Sequence, residues 1–237
     1  RGSSKILQPA SRASRPEFYD FDLLTTVPRD SQELATTLED ATIVVFDTET
    51  TGLFPSSGDK IISIGAVKIR DKKIRRSEFF ETLVNPERDI PESSMEFHHI
   101  SNDMVKGQPV LKEVIPQFLE FSSNGILLGH NVAFDLKFLN IELEAEGKEP
   151  LSIPTLDTLL ISYLLHDHFD SHNLKDIGHR LGVKVVGLHT ALGDALTTAE
   201  IFIKMISLLK ARGITTIGQT IEFSAKAGTL LKEQSKF

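Results

Sequence analysis

The chain has 237 residues, no cysteine, and 26 Lys plus Arg against 33 Asp plus Glu, a formal net charge of −7. That length suits one sizeable domain with extensions; the missing cysteine excludes disulfides and cysteine metal centres, and the acidic balance argues against a general polyanion-binding surface. No run of about 18 apolar residues marks a membrane span and no apolar signal core stands near the N-terminus, so no membrane partner and a reducing, cytoplasmic setting are expected. The chain begins at Arg1 rather than Met, which reads as a fragment, a processed chain or a tagged one, with "RGSS" a candidate vector remnant.

Residues 1–40 read as an N-terminal extension. Its first fifteen residues are polar and mobile in character, whereas "EFYDFDLL" carries apolar groups that must dock on this domain or on a partner. Ser31 predicts the cap of a short helix through Leu38. From Thr42 the pattern becomes strand, loop, strand, turn, strand, closed by Pro86. The dense basic stretch "KIRDKKIRR", Lys68 to Arg76, falls at the tip of the hairpin. Strand Ile61–Ile69 carries that tip about 27 Å from the Asp47 end, so it reads as solvated rather than as a substrate track. Short helices follow, with Ser101 and Pro109 marking starts. "GILLGHN" is a strand apolar on both faces, of the kind buried inside a sheet.

Asn131 predicts the cap of the next helix, ended by Gly147. "IPTLDTLLISYLL" predicts a short strand and helix, with Asp157 at their junction as a cap or as a group supporting the site from behind, the cap being preferred. "HNLKDIGHRLGV" predicts a helix capped by Asn173 and stopped by Gly182. The last long helix is predicted from about Thr190 to Arg212, and "GITTIGQTIEF" suggests a short terminal one. A three-strand meander followed by strand–helix alternation gives an α/β fold with a mixed sheet. The expected organisation is an extension (1–40), a domain (41–212) and a short helical tail (213–237).

The chemistry is carried by carboxylates. In "IVVFDTETTGL" an apolar strand ends in Asp47 and Glu49, which point to the same face with Cα atoms roughly 6.5–7 Å apart. Anions that close disfavour each other's ionisation unless a cation or shared proton compensates. Asp135, in "GHNVAFD", lies in the first turn of a helix after a buried strand, where open sheets place their chemistry. Asp194, in "HTALGDA", lies just inside the last long helix. His189 is five residues earlier, roughly 140° around a helix, so it belongs on the preceding loop. Four carboxylates gathered without compensation would cost several kcal/mol each, about as unpaired buried charges do. Two divalent cations cancel the formal charge, and all-oxygen ligation selects Mg²⁺ or Mn²⁺. A neutral His nearby suits proton removal from water.

"FDTETTG", "GHNVAFD" and "HTALGDA" resemble the three exonuclease motifs of the DEDDh group, which includes the proofreading epsilon subunits of bacterial DNA polymerase III. The resemblance covers roughly Thr42 to Arg212, with all three motifs in order. It implies an RNase H-like fold with a five-stranded mixed sheet, and 3′→5′ hydrolysis of nucleic-acid ends releasing nucleoside monophosphates. By position, Asp47, Glu49, Asp135 and Asp194 match the metal-ligating carboxylates and His189 the general base. Thr50, Thr51, Gly52 and Leu53 match the segment holding the terminal nucleotide, with Leu53 wedged on its base. "FHHIS" places His98 near the terminal sugar, with His99 where the family usually has Gly. Phe134, beside Asp135, is expected in the core at the wall of the site, as a substrate-binding residue in reach of a base.

Singly, each acid has a plain structural explanation: Asp47 ends a strand, and Asp135 and Asp194 favour a helix dipole. None of these explains their joint order. His130 reads as a hydrogen-bonded structural group, and His166 and His168 as solvated loop residues. The expected substrate is a single-stranded DNA 3′ end, with a DNA polymerase or other replication or repair protein as possible partner. The rivals are a 3′→5′ exoribonuclease of the tRNA-trimming or oligoribonuclease type, and a non-catalytic end-binding or polymerase-docking module; the motifs do not discriminate the sugar.

Overall fold

The computed structural model describes residues 21–24, 31–167, 169–185, 187 and 189–234; the first twenty residues of the extension and His168 lie outside them. Five strands, β1 (Ile43–Thr50), β2 (Ile61–Arg70), β3 (Lys73–Leu83), β4 (Ile126–Gly129) and β5 (Thr155–Asp157), form one mixed sheet in the order β3-β2-β1-β4-β5. The helices are α1 (Ser31–Ala35), α2 (Glu92–His98), α3 (Asn102–Val105), α4 (Leu111–Ser122), α5 (Ala133–Ala145), α6 (Thr158–Leu165), α7 (Leu174–Arg180), α8 (Ala191–Ala211) and α9 (Ile217–Gln234).

The antiparallel meander β1–β2–β3 is the one expected, with its turn at Asp71 and Lys72, both at positive φ. Strands β4 and β5 add in parallel beside β1, so both faces of the sheet need helical cover. Alternation along β1 divides the core accordingly. Val44 and Phe46 join Leu127, Phe118 and Leu139 under α4 and α5. Ile43 and Val45 join Leu128, Phe202 and Met205 under α8. Phe46, Phe118 and Phe202 are fully buried, each contributing about 1.5–3 kcal/mol from the apolar area removed from water.

Two predicted helix boundaries shift. Helix α1 ends at Ala35 rather than Leu38, because the chain then turns to pair Leu38 N–H with Thr215 O, and Thr36 O accepts from Ile217 N–H. The short terminal helix is instead eighteen residues long. Ile217 and Ala227 are wholly buried and Ile221 nearly so, which gives α9 a tertiary reason to continue beyond its weak local signal. The apolar end of the extension docks on this same domain: Leu24 sits in the core beside α5 residues and Ala227. No helix among the described residues is long and apolar enough to cross a membrane.

Candidate active site

The parity that buries Ile43 and Val45 under α8 also directs Asp47 and Glu49 to that face, where β1 runs out of core. Helix α8 delivers Asp194 to them in its first turn. The approach depends on two glycines that the sequence reading passed over. Gly65 on β2 pairs with Asp47, and a Cβ there would lie 2.1 Å from Leu192 N and 2.4 Å from Ala191 C. A Cβ on Gly193 would lie 2.2 Å from Gly187 O. Backbone therefore packs on backbone at both places. An isolated glycine inside a strand is a legible sign of such close approach.

Asp47, Glu49 and Asp194 each present an oxygen within 4.8 Å of the others. Burial pushes Asp47 well above the usual carboxylate range, and the charges of Asp135, Asp194 and Glu49 push it further. Glu49 is raised to about 8 by burial and then by Asp194 and Asp135. Burial also raises Asp194, although the His189 N–H donates to its Oδ2 at 3.1 Å. Its other oxygen, Oδ1, is buried with no hydrogen-bond partner. Three converging carboxylates, one with an orphaned oxygen, fit a hard divalent cation: the donor set is all oxygen, and a cation would remove the repulsion that raises these pKa values.

Asp135 approaches from the other face of the sheet. Helix α5 lies on the Val44–Phe46 side, and Thr48, which points that way from β1, donates from Oγ1 to Asp135 Oδ1 at 2.5 Å. Asp135 is buried and raised to about 7, chiefly by that burial and against the Thr48 hydrogen bond. It stands outside the group of three yet close enough for its charge to act on Asp47 and Glu49. The predicted cap of α5 is corrected. Asn131 adopts φ 59°, in the left-handed region, and the capping position falls to Val132, which provides no side-chain cap. The missing acceptor comes from β5. Wholly buried Asp157 accepts from Asn131 N at 2.9 Å and Val132 N at 3.0 Å while also capping α6 through Leu159 N at 2.8 Å. The sequence favoured the α6 cap over a supporting role behind the site; the clamp on the α5 turn joins residues twenty-five or more positions apart, which no local pattern shows.

His189 lies on the loop before α8, as expected, with φ 63° and an exposed imidazole edge-on to Phe97, ring centroids 6.2 Å apart. Thr190 caps α8 by accepting from Gly193 N at 3.2 Å, and its own hydroxyl donates to Gly187 O at 2.8 Å, which ties the loop to the helix. His130, at the end of β4, is held near 4 mainly by burial and pairs through Nδ1 with Thr158 Oγ1 at 3.0 Å. The hydroxyl proton goes to Gly129 O, so His130 is the donor in that pair.

A cleft of about 440 Å³ opens beside Glu49, lined among others by Thr50, Thr51, Gly52, Leu53 and His98. Leu53, Phe54 and Phe97 are 44%, 38% and 65% exposed, and all three line it. Asp59 shapes its wall, accepting from Phe54 N at 3.0 Å and Thr51 Oγ1 at 3.1 Å, with Arg88 Nη1 also at 3.1 Å. Asp59, Phe54 and Phe97 carried no sequence signal. Thr51 is buried, its amide donating to Lys60 O. His98 is buried too: Nδ1 accepts from Ile100 N at 3.0 Å and Nε2 has no partner. His99 takes φ 59° at the end of α2, the conformation a glycine usually supplies. Phe134 is half-buried against Phe138, ring centroids 4.9 Å apart, and does not line the cleft.

Comparison with known proteins agrees with this geometry. Residues 44–202 match the exonuclease (RNase T) family. The chain is 42% identical over 223 residues to a DNA polymerase III subunit epsilon-like protein of Rhodobacter capsulatus, covering 93% of this chain and 31% of that protein. It is 40% identical over 176 residues to a PolC-type DNA polymerase III of Caldanaerobacter subterraneus subsp. tengcongensis, covering 74% of this chain and 12% of that one. It thus spans under a third of these relatives' lengths. Among solved structures, Exonuclease X in complex with 5′ overhanging duplex DNA superposes with a TM-score of 0.61 at 25% identity, covering 77% of this chain and 99% of that one. The nuclease domain of 3′hExo, a DEDDh family member bound to rAMP, shares the fold with a TM-score of 0.63 at 19% identity, covering 73% and 94%. The chain therefore belongs to the exonuclease family that its three acidic motifs resemble.

Proposed function

We propose that this chain is a metal-dependent 3′→5′ exonuclease domain, acting on single-stranded DNA ends in proofreading or repair. The observation that carries it is the convergence of Asp47, Glu49 and Asp194 within 4.8 Å, with raised carboxyl pKa values, at the edge of an apolar-walled cleft. Two divalent cations, Mg²⁺ or Mn²⁺, would supply the positive charge that stabilises the attacking and leaving oxygens of a phosphodiester displacement. Asp47, Glu49 and Asp194 would hold one, and Asp135 with Asp47 the other. His189, on its exposed loop, takes the proton from the attacking water. Leu53, Phe54 and Phe97 offer apolar surface on which terminal bases stack, and His98, which lines the same cleft, would lie near the terminal sugar.

DNA is favoured over RNA because the relatives at 42% and 40% identity are named for DNA polymerase III. The same names support a polymerase or another replication protein as partner and a cytoplasmic site of action. The exonuclease domain is taken as residues 41–212, with residues 21–24, α1 and α9 packed onto it. Matched 5′-labelled DNA and RNA single strands, incubated with Mg²⁺, Mn²⁺ or EDTA, test the reading. Expected is a ladder shortening from the 3′ end, faster on DNA, abolished by EDTA and by Asp194→Asn. Internal cleavage, or activity unchanged in EDTA, would overturn it; faster RNA digestion would favour the exoribonuclease alternative.

A further inference from the structure

The start of α5 is built unlike the other helix starts of this site. Asp157 and Thr190 cap α6 and α8 with their own side chains, whereas Val132 leaves α5 without a side-chain cap. The turn before it is tight. Asn131 holds a left-handed φ of 59°, which Asn adopts more readily than other non-glycine residues, and a Cβ on Gly129 would lie 2.7 Å from Val132 Cβ. Left alone, the amides of Asn131 and Val132 would be buried donors without acceptors, at about 1–3 kcal/mol each. The Asp157 carboxylate, from the adjacent strand, accepts from both. Asp135 follows three residues after Val132, on the first turn this clamp initiates. Its carboxylate accepts from the Thr48 hydroxyl, so β5 fixes the turn that starts α5 while β1 holds the acid itself.

We propose that Asp157 and Thr48 are positioning residues for Asp135: Asp157 fixes the turn that starts α5, Thr48 orients the carboxylate, and together they set the second cation site. The inference rests on the two-ion reading above. Neither residue touches substrate. A buried charge so placed is costly in itself, and burial does raise Asp157 to about 6 against its backbone hydrogen bonds.

The test is Mn²⁺ binding, by electron paramagnetic resonance and calorimetry, beside steady-state kinetics on a labelled oligonucleotide. Asp157→Asn keeps the shape of the side chain but offers an NH₂ where one turn amide needs an acceptor. Thr48→Val removes the hydroxyl without changing size, and Thr48→Ser restores it. Both Asp157→Asn and Thr48→Val should bind the tighter ion as wild type does, weaken the second about 10–100-fold, and lower kcat about 10–100-fold with little change in KM. Thr48→Ser should recover most of both losses. Wild-type binding of both ions and wild-type kcat in Asp157→Asn and Thr48→Val, with only a lower melting temperature, overturns the proposal. Fewer than two ions on the wild-type protein overturns the two-ion reading instead, whatever the variants do.

Discussion

Asp47 and Gly65 face each other across the β1–β2 ladder, and the side chain missing from Gly65 is what lets the backbone of α8 reach Asp47. The acidic end of the sheet is thus assembled by an absence. Replacing Gly65 with Ala puts a methyl into Leu192 and Ala191 backbone that no rotamer change can move. The variant should lose about 1–3 kcal/mol in urea unfolding, and should lose exonuclease turnover out of proportion, because Asp194 rides on the displaced turn. Wild-type turnover in a folded Gly65→Ala protein would show that α8 does not need this contact to complete the site.

The acidic cluster should make metal-free protein less stable as pH rises. Glu49, Asp135 and Asp157 are raised to about 8, 7 and 6, above unfolded values of about 4. The native state therefore keeps protons that the unfolded chain has released. The stability this gives is complete below about pH 4, declines progressively above it, and is gone for each group once pH passes its folded value of about 6, 7 or 8. His130, lowered to about 4, acts oppositely but is neutral in both states above its unfolded value of about 6.5. Melting temperatures in EDTA should accordingly fall between about pH 6.5 and 8.5, and saturating Mn²⁺ should abolish the fall. A flat or rising profile in EDTA contradicts the electrostatic account.

Relieving the cluster by mutation should give the matching result. Asp47→Asn removes the carboxylate that all three neighbours act on. In EDTA at pH 8 its melting temperature should exceed that of wild type, and the two should converge toward pH 5, where the wild-type acids are protonated. Added Mn²⁺ should then raise the melting temperature of wild type but not of the variant. Equal responses to Mn²⁺ would remove Asp47 from the ligand set.

His189→Ala should separate chemistry from binding. The imidazole is exposed and meets Phe97 edge-on, so its removal should change stability by no more than about 0.5 kcal/mol. Turnover should fall about 10²–10⁴-fold, while Mn²⁺ titration by calorimetry stays as in wild type. Retained turnover would move the proton acceptor elsewhere.

Helix α9 should prove integral to the domain rather than a detachable tail. Ile217 is wholly buried and its amide bonds Thr36 O, so Ile217→Ala should cost about 2–5 kcal/mol by leaving a cavity. Urea unfolding decides this; a loss under about 0.5 kcal/mol would mean that the helix packs loosely.

Much of this protein was legible without coordinates because its signals are local. Alternation ending in Asp47 and Glu49 fixed a strand and the face its acids share. Asn173, Ser101 and the stretch from Thr190 to Arg212 marked helix boundaries that the chain adopts, and the order of three acidic motifs named the family. The tertiary structure alone decided what depends on contacts between distant residues. The α5 turn is clamped by Asp157 rather than capped by Asn131, since the acceptor sits on another strand. Asp135 meets the cluster from the opposite face of the sheet, under Thr48. Helix α9 runs long because packing against the rest of the domain, and not its own propensity, stabilises it. Sequence records which groups are present and the short-range geometry of the backbone; which of them share a buried site is set by long-range packing, where one glycine or one carboxylate acts on residues far away in the chain.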